Sequence, residues 1–397
     1  MRIWLLVIMS SFTQHIIAAQ PGKSGLVEDS TQHLQRMVDE RATSLDFFKT
    51  TTILADASTA SAYSEVNYTQ PRSWQKKPYV FDGIFNTPVP IGGKWFRVPG
   101  RGIYFAMQLH PDVTVRILQN DPAKGDSSSP VRTPSFMPGL TFFITSNHFW
   151  LKPMYTARHY FAFKISHHSN GQDAPHFTPD GYWNRYNGDF SDFIIYEFIY
   201  GGLKAGVVKN DREKKAIAGN SIRTSAAYNY YWKGSFQLSP KSSLPVDMNT
   251  YHLYGKYRTK GEFGFIWAPY YQDYVISRDK KVRTPVNAPT RKELFRVYAN
   301  FTYIWDADLN TGSIYNLQRA KVYDISKRLN IAVTFSARIP GTSFAGLFLQ
   351  GGYYGQDPYN VYFQQSVLFL RAGISMGFFS FDMNADKLKA QKATSSF

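Results

Sequence analysis

Between Phe161 and Ser169 the chain reads Phe-Ala-Phe-Lys-Ile-Ser-His-His-Ser. As a β-strand, this stretch puts Phe161, Phe163, Ile165, His167 and Ser169 on one face and Ala162, Lys164, Ser166 and His168 on the other. A base and a hydroxyl then close an apolar stripe, the arrangement of a nucleophile that meets its substrate from lipid. Asn170-Gly171 is a turn signal, so the chain reverses and returns through Asn184 to Tyr200. Asn184 shares parity with Ile194 and Phe198 and stands beside His167 in an antiparallel partner, unless a bulge at Asn187-Gly188-Asp189 breaks that parity. In such a triad Ser169 is the nucleophile, His167 the general base and Asn184 the group that holds the imidazole tautomer. Asparagine orients the ring without a buried charge, which suits a site bordering hydrocarbon. The chemistry implied is ester hydrolysis through an acyl-enzyme. An isolated His-x-Ser is ordinarily a polar loop entrance with nothing catalytic about it; the apolar face is what favours chemistry here.

The elements that would position these groups are strands. From about Pro78 the sequence becomes short alternating runs separated by Gly, Pro, Asn and Asp clusters. Phe295, Val297, Ala299, Phe301, Tyr303 and Trp305 oppose Arg296, Tyr298, Asn300, Thr302 and Ile304. Ile331, Val333, Phe335 and Ala337 oppose Ala332, Thr334, Ser336 and Arg338, and Leu368 to Phe379 alternates in the same way. No helical crossovers interrupt the series, which argues against α/β folds. Runs of about nine to eleven residues with aromatics near their ends fit strands that cross a bilayer. The expectation is an all-β chain, a transmembrane antiparallel β-barrel of about 12 strands. A soluble sandwich also has one apolar and one polar face per strand and is the competing architecture.

Composition narrows the compartment. Aromatic residues make up 17% of the 397, with 27 Tyr and 31 Phe, against a hydrophobic content of 43%; that pairing suits aromatic girdles around a polar interior. There are no cysteines, which excludes disulfides, a thiolate metal site and a Cys nucleophile. The net charge of +16 favours anionic lipid headgroups. The Lys and Arg are scattered through an exported chain, which argues against nucleic acid. Residues 1–19 read as a secretory signal, with Arg2, the apolar run Ile3 to Met9, and Ala18-Ala19 before a cleavage point at Gln20. No later run reaches the length of a spanning helix. Residues 20–77 are expected to form a periplasmic N-terminal segment, 78–382 the barrel and 383–397 a polar C-terminal tail.

The motifs resemble the outer membrane phospholipase A family. His167-His168-Ser169-Asn170-Gly171 followed by Trp183-Asn184-Arg185 matches that family's His-x-Ser-Asn-Gly and Trp-Asn-Arg runs, and Ser128-Ser129-Pro130-Val131-Arg132 resembles its Ser-Ser-Pro-Phe-Arg element. The resemblance implies a twelve-stranded barrel of the Gram-negative outer membrane, with the site on the outer wall near the outer leaflet. It implies hydrolysis of acyl ester bonds (sn-1 and sn-2) of glycerophospholipids and lysophospholipids by Ser169, His167 and Asn184. It also implies a calcium cofactor and a homodimer when active. The calcium ligands carry over to Ser128, Gln172 and Asp180, and Asp173 competes with Asp180 because the loop from Asn170 to Asn184 is longer here than in the enterobacterial members. The alternative is a catalytically silent barrel, serving as a structural protein or a small-solute pore.

Overall fold

A computed structural model describes residues 58–68, 79–86, 88–98, 101–118, 131–150, 158–170, 191–215, 220–239, 255–268, 270–276, 283–285, 290–306, 308–310, 319–321, 324–342, 345–355, 366–376 and 380–381. In chain order the strands are β1 (Ser58–Tyr68), β2 (Tyr79–Phe85), β3 (Val89–Val98), β4 (Arg101–Leu118), β5 (Val131–Ser146), β6 (Arg158–Asn170), β7 (Ser191–Lys215), β8 (Asn220–Leu238) and β9 (Tyr257–Trp267). There follow β10 (Tyr270–Ile276), β11 (Arg283–Pro285), β12 (Thr290–Lys292), β13 (Phe295–Ile304), β14 (Asp308–Asn310) and β15 (Arg319–Lys321). The last are β16 (Leu329–Arg338), β17 (Ala345–Tyr354), β18 (Val367–Met376) and β19 (Ser380–Phe381). Among the described residues the helices are single turns, α1 (Asn147–Trp150) and α2 (Ile325–Arg328).

Among the described residues all strand pairs are antiparallel, and the wall runs β1, β2, β4, β5, β6, β7, β8, β9, β13, β16, β17, β18. Strand β1 lies between β18 and β2 and pairs with both, so each of these twelve has a hydrogen-bonded neighbour on either side. Pairing of this kind satisfies backbone N–H and C=O groups where no water is at hand. Strand β3 continues β2 along β4, with Phe85 facing Val113 and Val89 facing Leu109. One strand starts earlier than the sequence pattern suggested: β1 falls inside 20–77, the stretch expected to precede the barrel. Its sequence, Ser-Thr-Ala-Ser-Ala-Tyr-Ser-Glu-Val-Asn-Tyr, has few large apolar residues to mark an outward face.

The wall is apolar outside and polar inside. In β16, Ile331, Val333 and Phe335 are exposed while Asn330, Ala332, Thr334 and Ser336 are buried. In β18, Leu368, Leu370, Ile374 and Met376 are exposed while Arg371 and Ser375 are buried. A soluble sandwich would show the reverse, so the exposed Phe, Leu and Ile rows face lipid and the barrel spans a membrane. Aromatics mark both rims. His159, Tyr200 and Trp232 cluster at one end, and Tyr303 meets Trp305 edge-on at the other.

The interior has two layers. Near the His159 rim lies an apolar cluster that includes Tyr104, Tyr160, Tyr231, Tyr298 and Phe143. Three of these rings fit against glycines: a Cβ on Gly93, Gly201 or Gly264 would lie within 2.4 Å of Tyr104, Tyr160 or Tyr231 respectively. Above them come charges held in pairs. Lys164 donates to Asp112 at 2.6 Å, Lys260 lies 3.3 Å from Glu197, and Lys233 lies 3.6 Å from Glu262. Between the flanks of β1, Arg371 donates to Asp82 at 2.8 Å and to Gln350 at 2.6 Å, and Gln350 donates to Thr334 at 2.6 Å.

The two rims differ in their connections. At the His159 rim the connections are 99–100, 147–157, 216–219, 268–294, which carries β10, β11 and β12, and 339–344, the last with Gly341 at φ 84°. At the opposite rim the connections are 69–78, 119–130, 171–190, 239–256, 305–328 and 355–366. Strands β7 and β8 also outrun the wall at the His159 rim. Strand β6 pairs with β7 as far as Arg158 opposite Leu203, whereas β7 and β8 stay paired to Lys215 opposite Ser221, with β10 added on β8.

Candidate active site on the outer wall

Strand β6 carries the site because its alternation survives intact to the rim. Phe161, Ile165 and His167 are exposed and Phe163 and Ser169 half-buried, while Tyr160, Ala162, Ser166 and His168 are buried. His167 and Ser169 therefore share the lipid face, and the span from His159 to Ser169 is roughly 25 Å at the usual rise and barrel tilt. That distance is one hydrocarbon thickness, so Ser169 sits at the rim opposite the His159 cluster.

The neighbours keep this face greasy. Ser169 stands opposite Phe136 of β5, which is exposed, and His167 stands opposite Ile194 of β7, also exposed. On β7 the even positions Ile194, Phe198 and Tyr200 point outward, the parity expected for the returning strand. An imidazole and a hydroxyl two residues apart on one face have Cα atoms about 7 Å apart, within reach of a mutual hydrogen bond when both side chains lean together.

Asn184, expected as the third member of the triad, lies outside the described residues, as do Ser128, Gln172, Asp180 and Asp173, expected around calcium, and Arg185. The structure thus brings His167 and Ser169 to one face and does not bear on the other assignments. Among the described residues no group of His, Asp and Glu is gathered to hold a metal. Arg132 is in β5 opposite Arg116. His148 is exposed on α1, and the Nδ1 of His159 is 2.7 Å from the Tyr200 hydroxyl, in the aromatic rim. Glu197 faces the lumen as its odd parity requires, and Lys260 and the hydroxyl of Ser235 are partners there.

No protein-family model matches the sequence, and no curated protein matches it. Among solved structures, the chain is similar to outer membrane phospholipase A from Escherichia coli, at 10% identity and a TM-score of 0.39, over 81% of this chain and 90% of that one. It is also similar to the outer membrane phospholipase of Salmonella typhi, a dimer with bound calcium, at 11% identity and a TM-score of 0.39, over 82% of this chain and 96% of that one. A further likeness is to the beta domain of the Bordetella autotransporter Brka, at 8% identity and a TM-score of 0.17.

One pair escaped the sequence reading. His168 points into the lumen, fully buried, and its Nε2 makes a 2.9 Å hydrogen bond with the Oγ of Ser135 on β5. This is also a base beside a hydroxyl, but neither is open to lipid, so no membrane ester reaches it. The doublet His167-His168 thus splits cleanly, one ring outward and one inward. The signal for the inner pair lies in cross-strand register, which sequence spacing does not carry.

Proposed function

We propose that the chain is an outer-membrane phospholipase A that hydrolyses the sn-1 and sn-2 acyl esters of glycerophospholipids and lysophospholipids. The observation that carries this is the placement of His167 and Ser169 together on the exposed apolar face of β6. Ser169 Oγ attacks the ester carbonyl while His167 takes its proton. The imidazolium then gives that proton to the departing glycerol oxygen, leaving an acyl-serine and a lysophospholipid. Water, deprotonated by His167, cleaves the acyl-serine and releases a fatty acid. Asn184 holds His167 in the tautomer that accepts from Ser169.

Calcium belongs to this reading through the backbone carbonyls of Ser128 and Gln172 and the carboxylate of Asp180 or Asp173. These are all oxygen donors, the set a hard cation prefers. Held there, calcium would supply electrostatic stabilisation of an oxyanion formed in acyl transfer. All six connections at the Ser169 rim have ten residues or more, whereas 99–100, 216–219 and 339–344 at the other rim are short; this supports an extracellular end at Ser169, because barrels of this class keep their short turns periplasmic. That orientation puts the site near the outer leaflet of a Gram-negative outer membrane, and the active form is a homodimer.

Purified protein in detergent with calcium is expected to hydrolyse phospholipid micelles, and Ser169→Ala to abolish the activity. A sulfonyl fluoride is expected to label Ser169 only. Full activity in Ser169→Ala would end the assignment.

A cavity of about 280 Å³, lined by Asp112, Lys164, Glu197, Lys233, Lys260 and Glu262, favours a second reading as a small-solute pore. The tyrosine cluster below it opposes that reading. Conductance in planar bilayers together with an inert Ser169 would favour the pore.

A further inference from the structure

We infer that His168 and Ser135 form a lumen-side clamp that positions Ser169 in the wall. This rests on the assignment of Ser169 as nucleophile.

The ladder between β5 and β6 is broken where the site is. Gly139 pairs with Ser166 and Phe136 with Ser169 in one unshifted register, but the pairing skips Met137 and Pro138, which stand opposite His168 and His167. Proline has no N–H to give to a ladder. On its other side Pro138 faces Pro111 of β4, a second residue without an N–H. The segment that carries the base and the nucleophile is therefore held to β5 by fewer backbone bonds than the rest of β6.

The His168–Ser135 hydrogen bond crosses that gap. Its length is 2.9 Å, and its partners are 0% and 2% exposed. The contact is diagonal, since Ser135 pairs with Asn170 and not with His168, so it resists sliding as well as separation of the strands. His168 lies between His167 and Ser169, and its anchored ring fixes the peptide planes on which both outward side chains turn. A buried hydrogen bond keeps its strength because water does not compete for it. His168 and Ser135 touch neither substrate nor the reacting atoms; they are positioning residues.

The test compares Ser135→Ala, His168→Phe, their combination and His168→Gln. It reads kcat and KM on phospholipid micelles and the rate of Ser169 sulfonylation. Retention of the folded band in unheated electrophoresis confirms an intact barrel in each variant. A misplaced nucleophile costs on the order of 10- to 100-fold, so Ser135→Ala and His168→Phe should each lower kcat and labelling by that factor. KM should stay within about twofold, because binding in lipid is untouched. The combined variant should be no slower than the slower single, the non-additivity expected of two ends of one contact. His168→Gln keeps an amide able to reach Ser135 and should recover most of the labelling rate. A purely structural pair would lower unfolding resistance and leave kcat and labelling unchanged below the transition.

Normal labelling in folded Ser135→Ala and His168→Phe overturns the clamp, as does multiplication of the two losses. Failure of Ser135→Ala to fold also overturns it, since the pair would then hold the barrel and not the site. Persistent labelling or activity in Ser169→Ala instead strikes the nucleophile assignment.

Discussion

Strand β1 is spanned from inside by one ion pair, and cutting that pair gives a sharp test of how the wall is held. Arg371 on β18 and Asp82 on β2 are 4% and 5% exposed in their side chains, and their contact of 2.8 Å passes over β1. Asp82→Ala takes a carboxylate away from a buried guanidinium whose other contacts include the Gln350 oxygen at 2.6 Å and the Phe369 ring. Breaking a buried pair from one side costs about 3–5 kcal/mol, most of it the uncompensated charge left behind. That is a loss of roughly a hundred- to a few thousandfold in the folded-to-unfolded ratio. Replacing both partners at once, Asp82→Ala with Arg371→Met, removes the buried charge and should restore stability to within about 1–2 kcal/mol of the parent. Reversible urea unfolding in lipid vesicles, followed by tryptophan emission and by gel mobility, measures both. The reasoning fails if the single variant loses less than about 1 kcal/mol, or if the double variant is as unstable as the single.

Three further perturbations test other parts of the architecture. Val333, half exposed on the outer face of β16, should cost about 2–4 kcal/mol as Val333→Arg if it lies at the bilayer midplane, measured by the same urea titration; no loss would mean that this face meets water. Gly264→Ala would drive a methyl into the Tyr231 ring and should destabilise by about 1–3 kcal/mol, whereas Gly234→Ala, with nothing within 4 Å, should be tolerated; melting of the heat-modifiable gel band separates the two. The Asp324 carboxyl caps α2 by accepting from the Ser326 N–H at 2.8 Å, and hydrogen bonds from the Ser326 side chain and from that N–H hold its pKa below the ordinary carboxylate value. Its contribution is therefore complete above the unfolded pKa and disappears as pH falls through the lower folded one, so NMR titration should place its midpoint below that of an unstructured aspartate.

The sequence made the wall legible where large apolar side chains alternate with small or polar ones. The runs around Phe301, Val333 and Leu370 become β13, β16 and β18 with the expected faces outward, because lipid rewards every second residue and the lumen accepts the rest. Strand β1 was hidden because its sequence lacks a regular alternation of large hydrophobes, and its place depends on partners distant in sequence. The parity of His167 and Ser169 was legible for the same reason as the wall. His168 with Ser135, and Arg371 with Asp82, were not, since each depends on which residue of another strand comes opposite. Asn184 and the residues expected to hold calcium, Ser128, Gln172 and Asp180, lie outside the described residues.

The tyrosines set against glycines act as keys for strand register. Tyr160 stands opposite Gly201, and a slip that keeps the same face inward would confront its ring with Ile199 or Leu203. Tyr231 opposite Gly264 would likewise meet Glu262 or Ile266. Only one alignment of β6 with β7 seats the ring, and that alignment also brings His167 level with Ile194 and Ser169 level with Asp192. A notch for one ring at the far rim thus sets the height at which β7 meets His167 and Ser169, roughly 25 Å away across the membrane.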